Sequence, residues 1–224
     1  MSEGAGPLAP ESVVELHDPA GMLVRWFCTP AQLDELAAGW LLGEGLVETA
    51  DQIGPIEVDA AAAEVRLLAP ATDLHRTPAP PPSGPARAPD DARRLIEDPD
   101  ALRGFYQAMF DRGSLRERSG GVHTGALVAG GEVLAVREDV SRHCVVDKLL
   151  GRALFDGRDL AGAVVLLTGR ISGALAAKAA RSGVAAMATM SIPTTLAAEV
   201  AGRAGLTLVG RARAAEPHVY PPGG

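Results

Sequence analysis

Cysteine is scarce: Cys28 and Cys144 are the only two in 224 residues. Two thiols so far apart build neither a disulfide framework nor a zinc-ligand spacing, and they point to a reducing compartment. Aromatic residues make up only 4% of the chain, so aliphatic side chains and alanine must fill the core. An excess of positive charge is lacking too. The formal net charge is −7, which argues against general nucleic-acid affinity, because neutralising phosphates needs a basic surface. No apolar run reaches the roughly 20 residues of a membrane span. The opening MSEGAGPLAPES has no basic segment followed by an apolar stretch, so no signal peptide is expected and the expected location is the cytoplasm.

What is present suits a globular protein: 47% hydrophobic and 22% charged residues, with enough chain for one large domain or two small ones. Arginine clearly outnumbers lysine, which suits bidentate phosphate contacts, although a GC-rich genome produces the same bias.

Residues 1–10 are small, polar and proline-bearing, and are expected to be disordered. Val13–Leu16 and Met22–Phe27 read as strands around a turn at His17–Gly21. Thr29 followed by Pro30 reads as a helix start, with Leu33, Leu36, Ala37, Trp40 and Leu41 at helical spacing and Gly43 and Gly45 at its end. Ile53–Val58 and Glu64–Leu68 form a further strand pair, making residues 11–70 a small α+β unit. Prolines crowd residues 71–92, a loop or linker. Residues 93–118 form a helical connection; the helical pattern begins near Asp90 and is interrupted at Asp98–Pro99.

Residues 119–220 read as an α/β domain, opening with a hairpin around Gly130–Gly131 and a helix from about Ser141. Strands at Ala163–Thr168, Val184–Thr189 and Leu206–Val209 then alternate with helices at Ile171–Arg181 and Pro193–Gly202. This order predicts a three-layer sheet covered on both faces. On the helix after the hairpin, Val145, Val146, Leu149, Leu150 and Ala153 share one side. His143, Cys144, Asp147, Lys148 and Gly151 share the other, which is expected to face a ligand. His143 and Asp147 are spaced so that the carboxylate could orient the imidazole, or make an ordinary surface pair. Polar groups also mark the turns at Thr168–Ser172 and Thr189–Thr194. Ligands of open α/β sheets collect at such strand ends, where helix N-termini favour anions. Ser141, Ser172 and Thr194 could equally be plain helix caps.

The run Arg137–Lys148, REDVSRHCVVDK, resembles the Arg-Glu-Asp-x-Gly-Arg-His-Asn-x-x-Asp-Lys signature of the FdhD family, accessory sulfurtransferases of formate dehydrogenase. TPAQLDELAAGWLLGEGLV, SGGVHTGAL, LTGRISGALAAKAARSGV, SIPTTLAAEVA and LTLVGRAR resemble that family in the same order, so the likeness runs from about Val13 to Tyr220. The resemblance implies a cytidine-deaminase-like α/β domain, a homodimer, and a client ligand: the molybdenum cofactor in its bis-guanine-dinucleotide form. Positions matching the family motifs, and so implied to contact that ligand, are His123, Thr124, Arg137, Arg142, His143, Asp147, Lys148, Arg170, Ser172, Ser191 and Thr194. The loop Ala212, Arg213, Ala214, Ala215, Glu216, Pro217 aligns with a cofactor-contacting segment, with Glu216 where many relatives carry a basic residue.

The implied partners are a formate dehydrogenase or related molybdoenzyme, and a cysteine desulfurase if sulfur transfer is retained. The family's persulfide-bearing Cys-x-x-Cys loop has no counterpart here. The matching stretch reads RTPAPPPSGPARAPDD. Two mechanisms remain open: binding and delivery without sulfur transfer, or a persulfide on Cys144, whose thiol a helix N-terminus and nearby cations would acidify. Cys28 is expected in the core. A zinc deaminase needs a His- or Cys-x-Glu site with Pro-Cys-x-x-Cys, and neither occurs. A Cys144–His143–Asp147 hydrolase is disfavoured because neighbouring helix residues point about 100° apart. A plain nucleotide-binding protein is the remaining alternative.

Overall fold

The computed structural model describes residues 7–77, 80–83 and 90–221. The expectations for residues 1–6, and for residues 78–79 and 84–89 of the proline-rich stretch, lie outside the described residues. A four-stranded sheet comes first, from β1 (Ser12–Asp18), β2 (Gly21–Cys28), β3 (Ile56–Asp59) and β4 (Glu64–Leu67), in the order β2-β1-β4-β3. The Asp18 carboxylate shapes the β1–β2 turn by accepting from the N–H groups of Ala20 and Gly21 at 2.8 and 3.0 Å. Between the two strand pairs lies α1 (Leu33–Gly43). It does not start at Thr29. Gln32 is its N-cap, in the left-handed region at φ 49°, and Thr29 is buried for another purpose described below.

Helices α2 (Asp90–Glu97) and α3 (Pro99–Arg112) follow. They part at Asp98, whose carboxylate accepts from the N–H groups of Asp100 and Ala101 while Pro99 opens α3. A short α4 (Leu115–Ser119) leads into the hairpin of β5 (His123–Ala129) and β6 (Glu132–Asp139). Gly130 and Gly131 turn it with φ of 59° and 78°, the pair of positive values that a type I′ turn requires. Then come α5 (Arg142–Phe155), β7 (Val164–Leu167), α6 (Gly173–Arg181), β8 (Ala186–Thr189), α7 (Thr195–Ala204), β9 (Thr207–Gly210) and β10 (His218–Tyr220). The large sheet runs β10-β9-β8-β7-β5-β6, parallel through β7, β8 and β9 and antiparallel elsewhere.

Alternation along the strands separates its two faces. Ala126, Val128, Val164, Leu166 and Ala188 pack with Leu102, Tyr106 and Met109 of α3. Leu127, Val165, Leu167 and Met187 point the other way, onto Val145 and Leu149 of α5 and Leu175 of α6. The chain is thus an α/β protein with a three-layer arrangement about its larger sheet. The second core continues without a break through Leu36, Ala37 and Leu41 of α1 to Val14, Leu16, Val65 and Leu67 of the small sheet.

The contact between α1 and α5 corrects the expected exposure of one α5 face. A Cβ on Gly39 would lie 1.7 Å from the Asp147 carbonyl oxygen, and one on Gly151 would lie 1.9 Å from the Glu35 carbonyl oxygen. Two glycines let the helix backbones touch, and α1 covers the side of α5 bearing Cys144, Asp147 and Lys148, all buried. Among the described residues no helix is long and apolar enough to cross a membrane.

Candidate functional site

The carboxyl ends of β6, β7, β8 and β9 share one edge of the large sheet with the start of β5, because β5 runs antiparallel to both its neighbours. Thr168 N–H donates to the Thr124 carbonyl at 3.0 Å, and Thr124 N–H to Thr168 Oγ1 at 3.1 Å, fixing His123 beside the β7 turn. Helices α5, α6 and α7 all begin at this edge. Ser172 caps α6 by accepting from Leu175 N–H, and Thr194 caps α7 by accepting from Ala197 N–H. The α5 start differs: Ser141 makes no side-chain cap.

Around that start, His123, Arg142, His143 and Ser172 come together. A Cβ on Gly169 would sit 3.0 Å from two atoms of the His123 ring and 3.3 Å from Arg142 Cδ, so the glycine leaves the space they occupy. Among the described residues, Arg142 Nε is buried without a hydrogen-bond partner. His143 Nε2 lies 3.3 Å from Ser172 Oγ. Burial first, and then the Arg142 charge, hold both imidazoles below their ordinary pKa, which favours the neutral forms. Arg170, one residue before the β7–α6 turn closes, is exposed.

Ser191 belongs to the next turn. Its N–H donates to Thr189 Oγ1 at 3.0 Å, and its carbonyl accepts from Arg211 N–H at 2.7 Å. Ala212 is buried, whereas Arg213, Ala215 and Glu216 are exposed and Ala214 and Pro217 half-buried. The loop is held to α3 by Arg103, which donates to the Ala214 carbonyl at 3.2 Å. Arg213 lies over the Phe110 ring at 5.5 Å, and Arg116 of α4 lies over the same ring at 5.0 Å. The sequence reading missed both Phe110 and Arg116, since only the folded chain brings α3, α4 and this loop together.

Other motif positions turn inward. Arg137 makes a two-pronged pair with Glu35 of α1, Nε to Oε2 at 2.5 Å and Nη2 to Oε1 at 2.6 Å. Thr124 is buried and its hydroxyl donates to Glu138 Oε1 at 3.3 Å. Lys148 is wholly buried: its ammonium donates to Asp139 Oδ2 at 2.6 Å and to the Thr29 carbonyl at 3.0 Å. Thr29 N–H also donates to Asp139 Oδ2, and Thr29 Oγ1 accepts from Val140 N–H. Lys148 is thus turned towards Asp139 and the Thr29 carbonyl, away from solvent.

Asp147 does not orient His143 either. It lies 2.9 Å from Lys178 of α6, which also lies 2.9 Å from Glu44. Burial raises the Asp147 carboxyl to about 6 against the pull of Lys178. The expected acidification of Cys144 fails for the same reason. Burial, with Asp139 nearby, pushes its thiol up to about 12, outweighing the helix start. Cys28 is likewise buried and pushed up to about 12. Two further histidines have partners the sequence did not suggest: His17 lies 3.0 Å from Glu15, within β1, and His75 lies 3.0 Å from Asp18.

Comparison with known proteins places this arrangement. A model described as the FdhD/NarQ family matches residues 83–223. A Methanothermobacter thermautotrophicus protein named sulfur carrier protein FdhD is 31% identical over 92% of this chain and 86% of its own length. A protein of the same name from Streptomyces avermitilis is 45% identical over 56% of this chain and 43% of its own length. In structure, a Desulfotalea psychrophila protein described as a formate dehydrogenase accessory protein superposes with a TM-score of 0.76 at 26% identity, over 96% of this chain and 87% of that one. With the match spanning both sheets, the chain belongs to the FdhD/NarQ family.

Proposed function

We propose that this protein serves the maturation of a formate dehydrogenase or related molybdoenzyme by holding the bis-guanine-dinucleotide form of the molybdenum cofactor as a client ligand. The buried, unpartnered Nε of Arg142 carries the reading, because an orphaned guanidinium donor at a helix start suits a phosphate oxygen. His123, His143, Arg170, Ser172, Ser191 and Thr194 ring the same edge. Gly169 leaves room for the His123 ring and the Arg142 side chain to lie side by side, which a larger residue there would push apart. Arg116, Arg213 and Phe110 add an aromatic and cationic shelf that suits a purine base.

The names of the relatives support a role in sulfur delivery, yet this chain's two thiols are buried and hard to ionise. The favoured mechanism is binding and delivery of the cofactor, with the sulfur carried by another protein such as a cysteine desulfurase. Titration calorimetry with GDP, the nucleotide end of the dinucleotide, tests it. Wild type should bind, and Arg142→Met should bind at least about tenfold more weakly, a loss of roughly 1.4 kcal/mol. A folded wild type that binds no GDP overturns the reading.

A further inference from the structure

Glu138 has an unusual set of partners. Its carboxylate accepts from three successive backbone N–H groups, Ser114 at 2.9 Å, Leu115 at 2.7 Å and Arg116 at 3.0 Å. The Thr124 hydroxyl adds a fourth hydrogen bond at 3.3 Å. A Cβ on Gly113 would lie 2.9 Å from Glu138 Oε1, so a glycine at the end of α3 makes room for the carboxylate. Among the described residues, the other side-chain hydrogen bonds of this segment are local: Arg118 to the Ser114 carbonyl, Ser119 to the Leu115 carbonyl, and Gly121 N–H to Ser119 Oγ. Glu138 therefore ties α4 to the sheet, and α4 carries Arg116 over Phe110, beside Arg213. An accepting carboxylate also suits the orphan N–H groups of a helix's first turn, so the tie is strong for its size.

We infer that Glu138 is a positioning residue for ligand binding. By fixing α4 it sets Arg116 against Phe110 at the rim of the site, and so shapes the shelf offered to a planar, anionic ligand. The inference rests on the cofactor-holding reading for its ligand, but not for its geometry. Phe110 and Arg116 also line a cleft with Gly113 and Glu138. Letting α4 drift would release Arg116 from Phe110 and reshape that cleft.

The test compares wild type, Arg116→Ala, Glu138→Gln and the double variant, each with a melting curve to confirm folding. GDP affinity should fall about tenfold in each single variant, and the double variant should match Arg116→Ala within about twofold, because both changes remove one interaction. Losses that multiply, or a Glu138→Gln variant that binds as wild type does while Arg116→Ala is weakened, overturn the inference. Amide hydrogen exchange in the free proteins gives a readout without ligand. Ser114, Leu115 and Arg116 should exchange faster in Glu138→Gln, and unchanged protection refutes the positioning role. Should wild type bind no GDP, the cofactor reading fails and exchange alone decides whether Glu138 holds α4.

Discussion

Asp139 and Lys148 form an ion pair 2.6 Å long with both side chains wholly out of solvent. The pair joins the end of β6 to the second turn of α5, and through the Thr29 backbone it also gathers the segment between β2 and α1. Desolvating two charges is costly, so such a pair is worth little over an apolar replacement, but losing one partner strands the other. Lys148→Met should therefore cost about 3–5 kcal/mol of unfolding free energy. Asp139→Asn should cost a comparable amount, since it strands the ammonium and replaces with an NH2 group the oxygen that accepts from Ser141 N–H at 2.8 Å. Urea unfolding followed by circular dichroism checks both. A Lys148→Met variant as stable as wild type would mean that the pair does not form.

The local patterns in this chain were legible, and the long-range ones were not. Gly130–Gly131, the Asp98–Pro99 junction and the β7 apolar run announce their elements because the relevant contacts lie within a few residues. The sidedness of α5 was misread because its polar face is covered by α1, more than a hundred residues away, through glycines that no helical periodicity flags. Thr29 looked like a cap for the same reason: its real partners are Asp139, Val140 and Lys148. Among the site residues, His123, Arg142, His143 and Ser172 do gather. Arg137, Asp147 and Lys148, in the same motif, hold α1, α6 and the β2–α1 segment instead. A motif alone does not separate these roles.

Gly39 and Gly151 give a sharper test of packing. An alanine at either would press a methyl group into the facing helix backbone, which cannot step aside as a side chain tip could. Gly39→Ala should destabilise by about 3 kcal/mol or more, at or beyond the upper end of ordinary overpacking. Gly104→Ala is the internal control. It lies inside α3 with open space around it, and alanine there should stabilise by roughly 0.5–1 kcal/mol. Opposite shifts of the melting temperature are the expected result, and similar shifts would show that α1 and α5 do not meet at these residues.

Stability should fall in acid partly through the two site histidines. Burial and Arg142 lower the pKa of His123 and His143 below the ordinary 6.5, so the unfolded chain binds protons more readily than the folded one. Their contribution is fully present above pH 6.5 and is lost as pH falls from there through the folded pKa values. Asp147, raised to about 6, acts in the opposite sense, and its contribution is lost as pH rises through that value. A His123→Gln, His143→Gln variant keeps Asp147 and removes only the imidazoles. Denaturant midpoints measured at pH 7.5 and 5.5 should drop further for wild type than for the variant. Equal drops would mean that neither ring is desolvated.

The thiols should be silent until the fold opens. A Cys144 pKa near 12 leaves about one thiol in ten thousand ionised at pH 8, and the thiolate is the species that attacks. Iodoacetamide should leave native protein unmodified and label both Cys28 and Cys144 in guanidinium. Incubation with a cysteine desulfurase and cysteine carries the argument to sulfur itself. Intact mass should reveal no added sulfur on native wild type, with Cys144→Ser identical to it. Sulfur that appears on wild type and vanishes in Cys144→Ser would mean that the first turn of α5 opens to its donor, and would restore Cys144 as a carrier. Without that, Cys144 stays a buried thiol of the core, and the proposed binding-and-delivery mechanism stands over the carrier one.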